Sequence, residues 1–186
     1  MSKTEITQAV YKAVMGENPS RFKGDSLPVE SVSWYAAVEF CNKLSKKAGL
    51  EPAYSINGMN VEWNRTASGY RLPTVEEWQY AAEGGKSYKY SGSDNLDEVG
   101  WYDGNSGDKT HPVAQKKPNG YGLYDMSGNV WEWCWDSNSN FSGERYNCGG
   151  SWSSNADYCE VGREGWNYAN STDDFLGFRI VRSTGK

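Results

Sequence analysis

Residues Asn119–Trp133 read NGYGLYDMSGNVWEW, and this stretch decides the fold. Three glycines and four aromatics share its fifteen residues, a composition that suits neither a surface helix nor a simple alternating strand. Gly120, Gly122 and Gly128 fit backbone with positive φ or a close approach between chains. Trp131 and Trp133, two residues apart, have the alternation of a strand entering a core. Asp125 and Glu132 are the only carboxylates in the run, so each is solvated, caps backbone amides or holds a cation.

Outward from that stretch, the 186-residue chain has the length of one domain with a core of its own. Aromatics make up 15 % of it, with nine Trp and thirteen Tyr, so a few large rings carry the core in place of many Leu and Val. A mean hydropathy of -0.80 and 21 Gly point to many exposed loops. The net charge of -5, with no basic cluster beyond pairs such as Lys46–Lys47, excludes a nucleic-acid-binding reading. No apolar run approaches the ~20 residues of a membrane span, and no targeting segment is visible. With four dispersed cysteines and one histidine, an ordinary zinc site lacks ligands. Cys41 is expected on the buried face of a helix, and Cys148 and Cys159 could pair.

Three helices are legible. Thr7 is a candidate N-cap, with Ile6, Val10, Tyr11 and Val14 at helical spacing before Gly16. Ser33 caps a second helix over residues 34–48 that turns Ala37, Phe40, Cys41 and Leu44 inward. Thr74 and Glu77 form a capping box for a third, closed by Gly84–Gly85. Residues 53–64 read as two short strands with a turn at Asn57–Gly58. Residues 86–117 form a long polar loop, expected to be pinned by Trp101 and Tyr102; its acidic residues lack the spacing of a calcium loop, and His111 has a structural role.

GLYDMSGNVWEW (122–133), RLPTVEEWQYAAEGG (71–85), CGGSW (148–152) and LGFR (176–179) together resemble the formylglycine-generating, sulfatase-modifying family, nearly along the whole chain. The resemblance implies an α+β, C-type-lectin-like fold: short helices around a small antiparallel sheet with long loops, in a single domain over 1–186 that lacks the family's usual first strand. It also implies calcium in the central stretch, held by the side chains of Asp125 and Glu132 and the carbonyls of Gly128 and Val130. Enzymes of the family bind copper through two cysteines, two and seven residues after the aromatic of GGS-aromatic, and oxidise a substrate cysteine with oxygen. Those positions are Ser154 and Cys159 here, and a lone thiolate does not form the soft two-sulfur site that Cu(I) prefers.

The matched frame therefore brackets a divergent interior, residues 153–175, inside a candidate ligand-binding segment over 148–179. That interior mixes Tyr with Ser, Asn, Asp and Gly, as antibody recognition loops do. It is similar to the variable proteins of diversity-generating retroelements, in which a lectin-like scaffold displays a segment ending at GFR. Their mutagenesis replaces adenines in Asn codons ending in a pyrimidine, which cannot become Trp, Glu, Lys, Met or Gln. Ser153, Ser154, Asn155, Asp157, Tyr158, Asn167, Tyr168, Asn170, Ser171, Asp173, Asp174 and Phe175 are then allowed to vary, as is Cys148. Trp152, Glu160, Glu164 and Trp166 are not. Tyr158, Trp166, Tyr168 and Phe175 are the expected anchors for an unknown protein or surface ligand. The expected protein is a non-catalytic, monomeric receptor, and the resemblance implies display at the cell surface or in the periplasm, often as a lipoprotein. The alternatives are a copper- and oxygen-dependent oxidase with Cys159 as its reactive thiol, or a degenerate structural relative.

Overall fold

The structure, a computed structural model, describes residues 1–137 and 143–182. The three expected helices form as α1 (Gln8–Met15), α2 (Trp34–Lys47) and α3 (Val75–Glu83). Thr7, Ser33 and Thr74 accept hydrogen bonds from Val10, Ala36 and Glu77, which satisfies amides that have no partner within the helix. The capping box is complete, since the Glu77 carboxylate also accepts from the Thr74 amide at 3.0 Å. Arg71 grips that same carboxylate with two bonds of 2.6 Å.

The inward face of α1 differs from the sequence expectation. Ile6 is buried but lies before the helix, Val10 is exposed, and Gln8 and Tyr11 face the core. The Gln8 amide donates to the carbonyls of Phe22 (2.8 Å) and Pro28 (3.1 Å), so a loop crossing the helix needs a polar residue there.

β1 (Tyr54–Asn57) and β2 (Asn60–Trp63) form a hairpin whose two-residue turn is Gly58–Met59, one position beyond the expected turn. β3 (Tyr70–Arg71) pairs with β8 (Val181–Arg182). The main sheet comprises β4 (Trp131–Ser137), β5 (Glu144–Cys148), β6 (Glu164–Tyr168) and β7 (Leu176–Gly177), in the order β6-β5-β4-β7. It is mixed, not antiparallel throughout, because β7 runs parallel to β4.

Two cores flank this sheet. On one side Trp133 packs with Trp34, Phe40, Tyr11 and Phe178. On the other, α3 lays Trp78 over Met126, Cys134 and Cys148. The indoles of the main core find backbone acceptors: Trp34 donates to Cys134 O at 2.9 Å and Trp133 to Val32 O at 2.8 Å. Cys41 is buried on α2 as expected. The long loop contains one short helix, α4 (Leu96–Val99). Its Trp101 stacks on His111 with ring centroids 3.8 Å apart, while Lys116 lies over the indole, so the pinning expected of Trp101 is observed.

Candidate functional site

The central stretch is a clamp. Its chain turns through positive φ at Gly122, Asp125, Gly128 and Asn129 before entering β4. A Cβ on Gly128 would lie 2.1 Å from the Trp101 carbonyl, and one on Gly120 would lie 2.2 Å from the Gly84 carbonyl, so both glycines are required by close approach. Glu132, pointing from β4 into the core, meets Arg179 from the segment between β7 and β8. Nε lies 2.6 Å from Oε2 and Nη2 lies 2.7 Å from Oε1, with both side chains buried. Trp78 Nε1 donates to the same Oε2 at 2.6 Å. Burial alone would lower the Arg179 pKa, but the charges of Glu132, Glu5 and Asp125 outweigh it and hold the guanidinium protonated.

Glu132 is thus neither solvated nor a cap, and of the four groups expected to hold calcium it does not fit a cation as folded. Both of its oxygens are taken and its charge is neutralised by Arg179. Asp125 accepts from the Ala114 amide at 2.7 Å through Oδ2, while its buried Oδ1 has no partner. Burial raises the Asp125 carboxyl to about 6. The amides of Gly128 and Val130 bond to Gly149 O and Glu5 Oε1. Glu5, which lies in no motif, is fully buried and also accepts from the Asn129 side-chain amide at 2.7 Å. Burial raises its pKa, and the charges of Asp125 and Glu132 add to that rise. Among the described residues, no group of three or more His, Cys, Asp or Glu side chains is disposed to hold a metal ion.

Next to the clamp, the divergent segment opens a surface cavity of about 360 Å³ lined by Asp103, Trp131, Ser153, Ser154, Asn155 and Tyr158. Its rim is built locally. Gly149 and Gly150, both at positive φ, reverse the chain after β5, and a 3-10 turn follows at Ala156–Cys159. Ser151 Oγ lies 3.2 Å from Ser153 Oγ and 3.1 Å from Ser154 Oγ, a knot that fixes the turn. The long loop joins it through Asp103 N to Ser154 O (3.0 Å) and Ser106 Oγ to Trp152 O (2.7 Å). Tyr158 stands against Trp131 at 66°, with centroids 6.3 Å apart. Gly165 of β6 packs beside this indole, where a Cβ would meet the ring at an ordinary 3.5 Å but would press on Asn147 Oδ1 at 2.7 Å. Sequence reasoning weighed Asp103 only among the acids of a loop without calcium spacing, and treated Trp131 as core only.

The segment does not form one surface. Ser153, Ser154, Asn155 and Tyr158 gather at the cavity, beside exposed Asp157. Trp166 and Tyr168 are 52 % and 58 % exposed, but they project from β6 on the face opposite Gly165 and Asn167, away from Trp131. Asn167 is half-buried and accepts from Asn147 at 2.8 Å. Asn170 is exposed and Ser171 half-buried beyond them. Asp174 pairs with Arg21, and the Asp173 carbonyl accepts from Ser31. Phe175, an expected anchor, is half-buried against the main core and belongs to the frame.

The oxidase positions offer little reactivity. Ser154 Oγ accepts from the Ser151 amide at 3.0 Å. The Cys159 thiol is buried against Gly150, and burial, with the charge of Asp103, pushes it up to about 12. A protonated thiol is a poor nucleophile and a poor metal ligand. All four cysteines are free and buried. Cys148 does not pair with Cys159; its nearest sulfur is Cys134 Sγ across the strands, at 3.8 Å.

Comparisons with known proteins agree with this geometry. The chain is 41 % identical to the chaperone protein LppX of Paenibacillus barcinonensis, over 98 % of this chain and 79 % of that one. It is 33 % identical to the inactive C-alpha-formylglycine-generating enzyme 2 of Mus musculus, over 75 % of this chain, and spans about half (53 %) of that relative's length. Among solved structures, Treponema denticola variable protein 1 superposes with a TM-score of 0.91 at 40 % identity, covering 96 % of this chain and 82 % of that one. The family model for the sulfatase-modifying factor enzyme 1-like domain matches residues 1–184. The clamp at Glu132–Arg179, the lectin-like sheet and these matches agree: the chain belongs to the family of sulfatase-modifying factor enzyme 1-like domains.

Proposed function

We propose that the chain is a non-catalytic ligand-binding protein that displays a diversified surface on a rigid lectin-like frame. One observation carries the reading: the stretch Ser153–Tyr158, framed by GGSW and GFR, forms the wall of an open cavity, where the oxidases of the family place their copper cysteines. Here one of those positions is a hydroxyl tied to Ser151, and the other is a buried thiol. The likeness to a variable protein supports diversification by a retroelement. The relative named as a chaperone supports a protein as the ligand, and display outside the cytoplasm accords with it. On this reading the protein acts as a monomer without copper.

The test is to sequence the 3′ end of the gene across many cells of one strain. Substitutions confined to the codons of residues such as Ser153, Asn155, Asp157 and Tyr158, with a near-copy of the segment beside a reverse transcriptase, are the expected result. An invariant segment removes diversification. Incubation with Cu(I), oxygen and a Cys-x-Pro-x-Arg peptide tests the catalytic alternative, and loss of the peptide's cysteine would overturn the non-catalytic reading.

A further inference from the structure

We infer that the cavity between Trp131, Tyr158 and Asp103 receives the positively charged side chain of a lysine or arginine presented by a protein partner. The inference rests on the ligand-binding reading above and names the chemistry of the ligand.

The cavity lining holds one acid and no base. Asp103 is exposed, and its carboxylate forms no ion pair among the described residues. Lys89, which reaches Asp157 beside Tyr158, is already committed, 3.1 Å from Glu160 and 3.9 Å from Asp157. An anionic ligand would meet the Asp103 carboxylate, which no cation among the described residues offsets. A neutral apolar ligand would cover the Asp103 carboxylate and give it no partner, which is costly. A cation meets neither obstacle. Trp131 and Tyr158, held at 66° to each other, form two aromatic walls whose π-faces attract positive charge. The hydroxyls of Ser153 and Ser154 and the amide of Asn155 supply acceptors for the remaining N–H groups.

Size and shape point to a side chain on a protein. The cavity, at about 360 Å³ and open to solvent, would leave much of a free small molecule exposed. A single long side chain enters it, with water beside it, while its main chain covers the open mouth over exposed Asn155 and Asp157. Asp103 and Trp131 lie outside the segment proposed to vary. A change at Ser153, Asn155 or Tyr158 would alter which protein docks, while the floor keeps its preference for a cation.

The experiment is selection of phage-displayed random dodecapeptides on the intact protein. Isothermal titration of the selected peptides follows, against the wild-type protein, Asp103→Asn and Tyr158→Ala. Lysine or arginine is expected to recur at one position. Its replacement by norleucine, and Asp103→Asn, should each weaken binding about tenfold and not add to one another, and added salt should weaken the wild-type complex. Selected peptides that lack a cation yet lose affinity with Tyr158→Ala would overturn the charge assignment and leave the ligand-binding reading standing. A selection that yields no peptide sensitive to either substitution would overturn both. The two side chains are exposed, and unchanged near-ultraviolet circular dichroism of the variants verifies that the fold is intact.

Discussion

Arg179 and Glu132 lie 47 residues apart and face each other without solvent, Nε 2.6 Å from Oε2 and Nη2 2.7 Å from Oε1. The pair joins β4 to the chain segment between β7 and β8. Because neither charge can reach water, removing one strands the other. Arg179→Leu should cost about 3–5 kcal/mol in urea unfolding. The double variant Arg179→Leu, Glu132→Leu should be less destabilised than that single one, because Glu132 is no longer left without its cation, although Glu5 and Asp125 still lose theirs. Additive losses in the double variant would show that packing, and not charge, sets the cost.

The same cluster sets a pH dependence. Glu5, Asp125 and Glu132 face a single guanidinium, and burial raises the Asp125 carboxyl from an ordinary 3.8 to about 6. The folded state then binds more protons than the unfolded state between those values. The contribution of Asp125 is therefore full below about pH 4 and is lost as pH rises through 6. Glu5, also raised, acts in the same direction. Asp125→Asn should flatten the slope of unfolding free energy between pH 4 and 6.5, and should stabilise the protein at pH 7 by on the order of 1–3 kcal/mol. A slope unchanged in the variant would assign the dependence elsewhere.

Calcium depends on the same residues. With both Glu132 oxygens bound to Arg179 and Trp78, only Asp125 offers a free carboxylate oxygen to an ion in this stretch. One carboxylate oxygen with the carbonyls of Gly128 and Val130 would leave at least half of the roughly six to eight oxygens to water, a weakly held ion. EDTA should leave the melting temperature unchanged. A fall of several degrees would mean that an ion displaces Arg179 from Glu132.

The thiols give a third check. Cys41, Cys134, Cys148 and Cys159 are all buried, and burial raises the pKa of Cys41, Cys134 and Cys159. Ellman's reagent should label none of them in the native protein and all four in urea. Rapid native labelling of one thiol that is lost in Cys159→Ala would reopen the oxidase alternative.

What the sequence disclosed follows the range of each interaction. Thr7, Ser33 and Thr74 cap amides within three residues, so their roles were readable directly. The fold came from the motifs around GNVWEW and GFR. The partner of Glu132 did not, because Arg179 lies 47 positions along the chain and no local signal links the two. Glu5 was hidden for the same reason: it serves Asn129 and Val130 from the far end of the chain. Phe175 was misplaced because composition marks an aromatic as exposed or buried only through its neighbours, and these lie in the main core. Asp103 became visible only when the long loop folded over Ser154.

A frame that displays a tolerant surface must separate stability from variation residue by residue, and the structure states where the division falls. Asp157 and Tyr158 are exposed, and no strand pairing depends on them. Ser154 is different, since its hydroxyl accepts from Ser151 and closes the turn. Trp152 donates to Asp174 O at 3.1 Å and meets Phe22 edge-on. Asp157→Ala and Tyr158→Ala should each change unfolding free energy by less than about 0.5 kcal/mol, whereas Trp152→Ala and Phe175→Ala should each cost about 2–4 kcal/mol. Ser154→Ala should fall between, near 1 kcal/mol, through the lost hydrogen bonds. Losses at Tyr158 as large as those at Trp152 would make the 3-10 turn part of the frame, and the cavity would then be a fixed site and not a variable one.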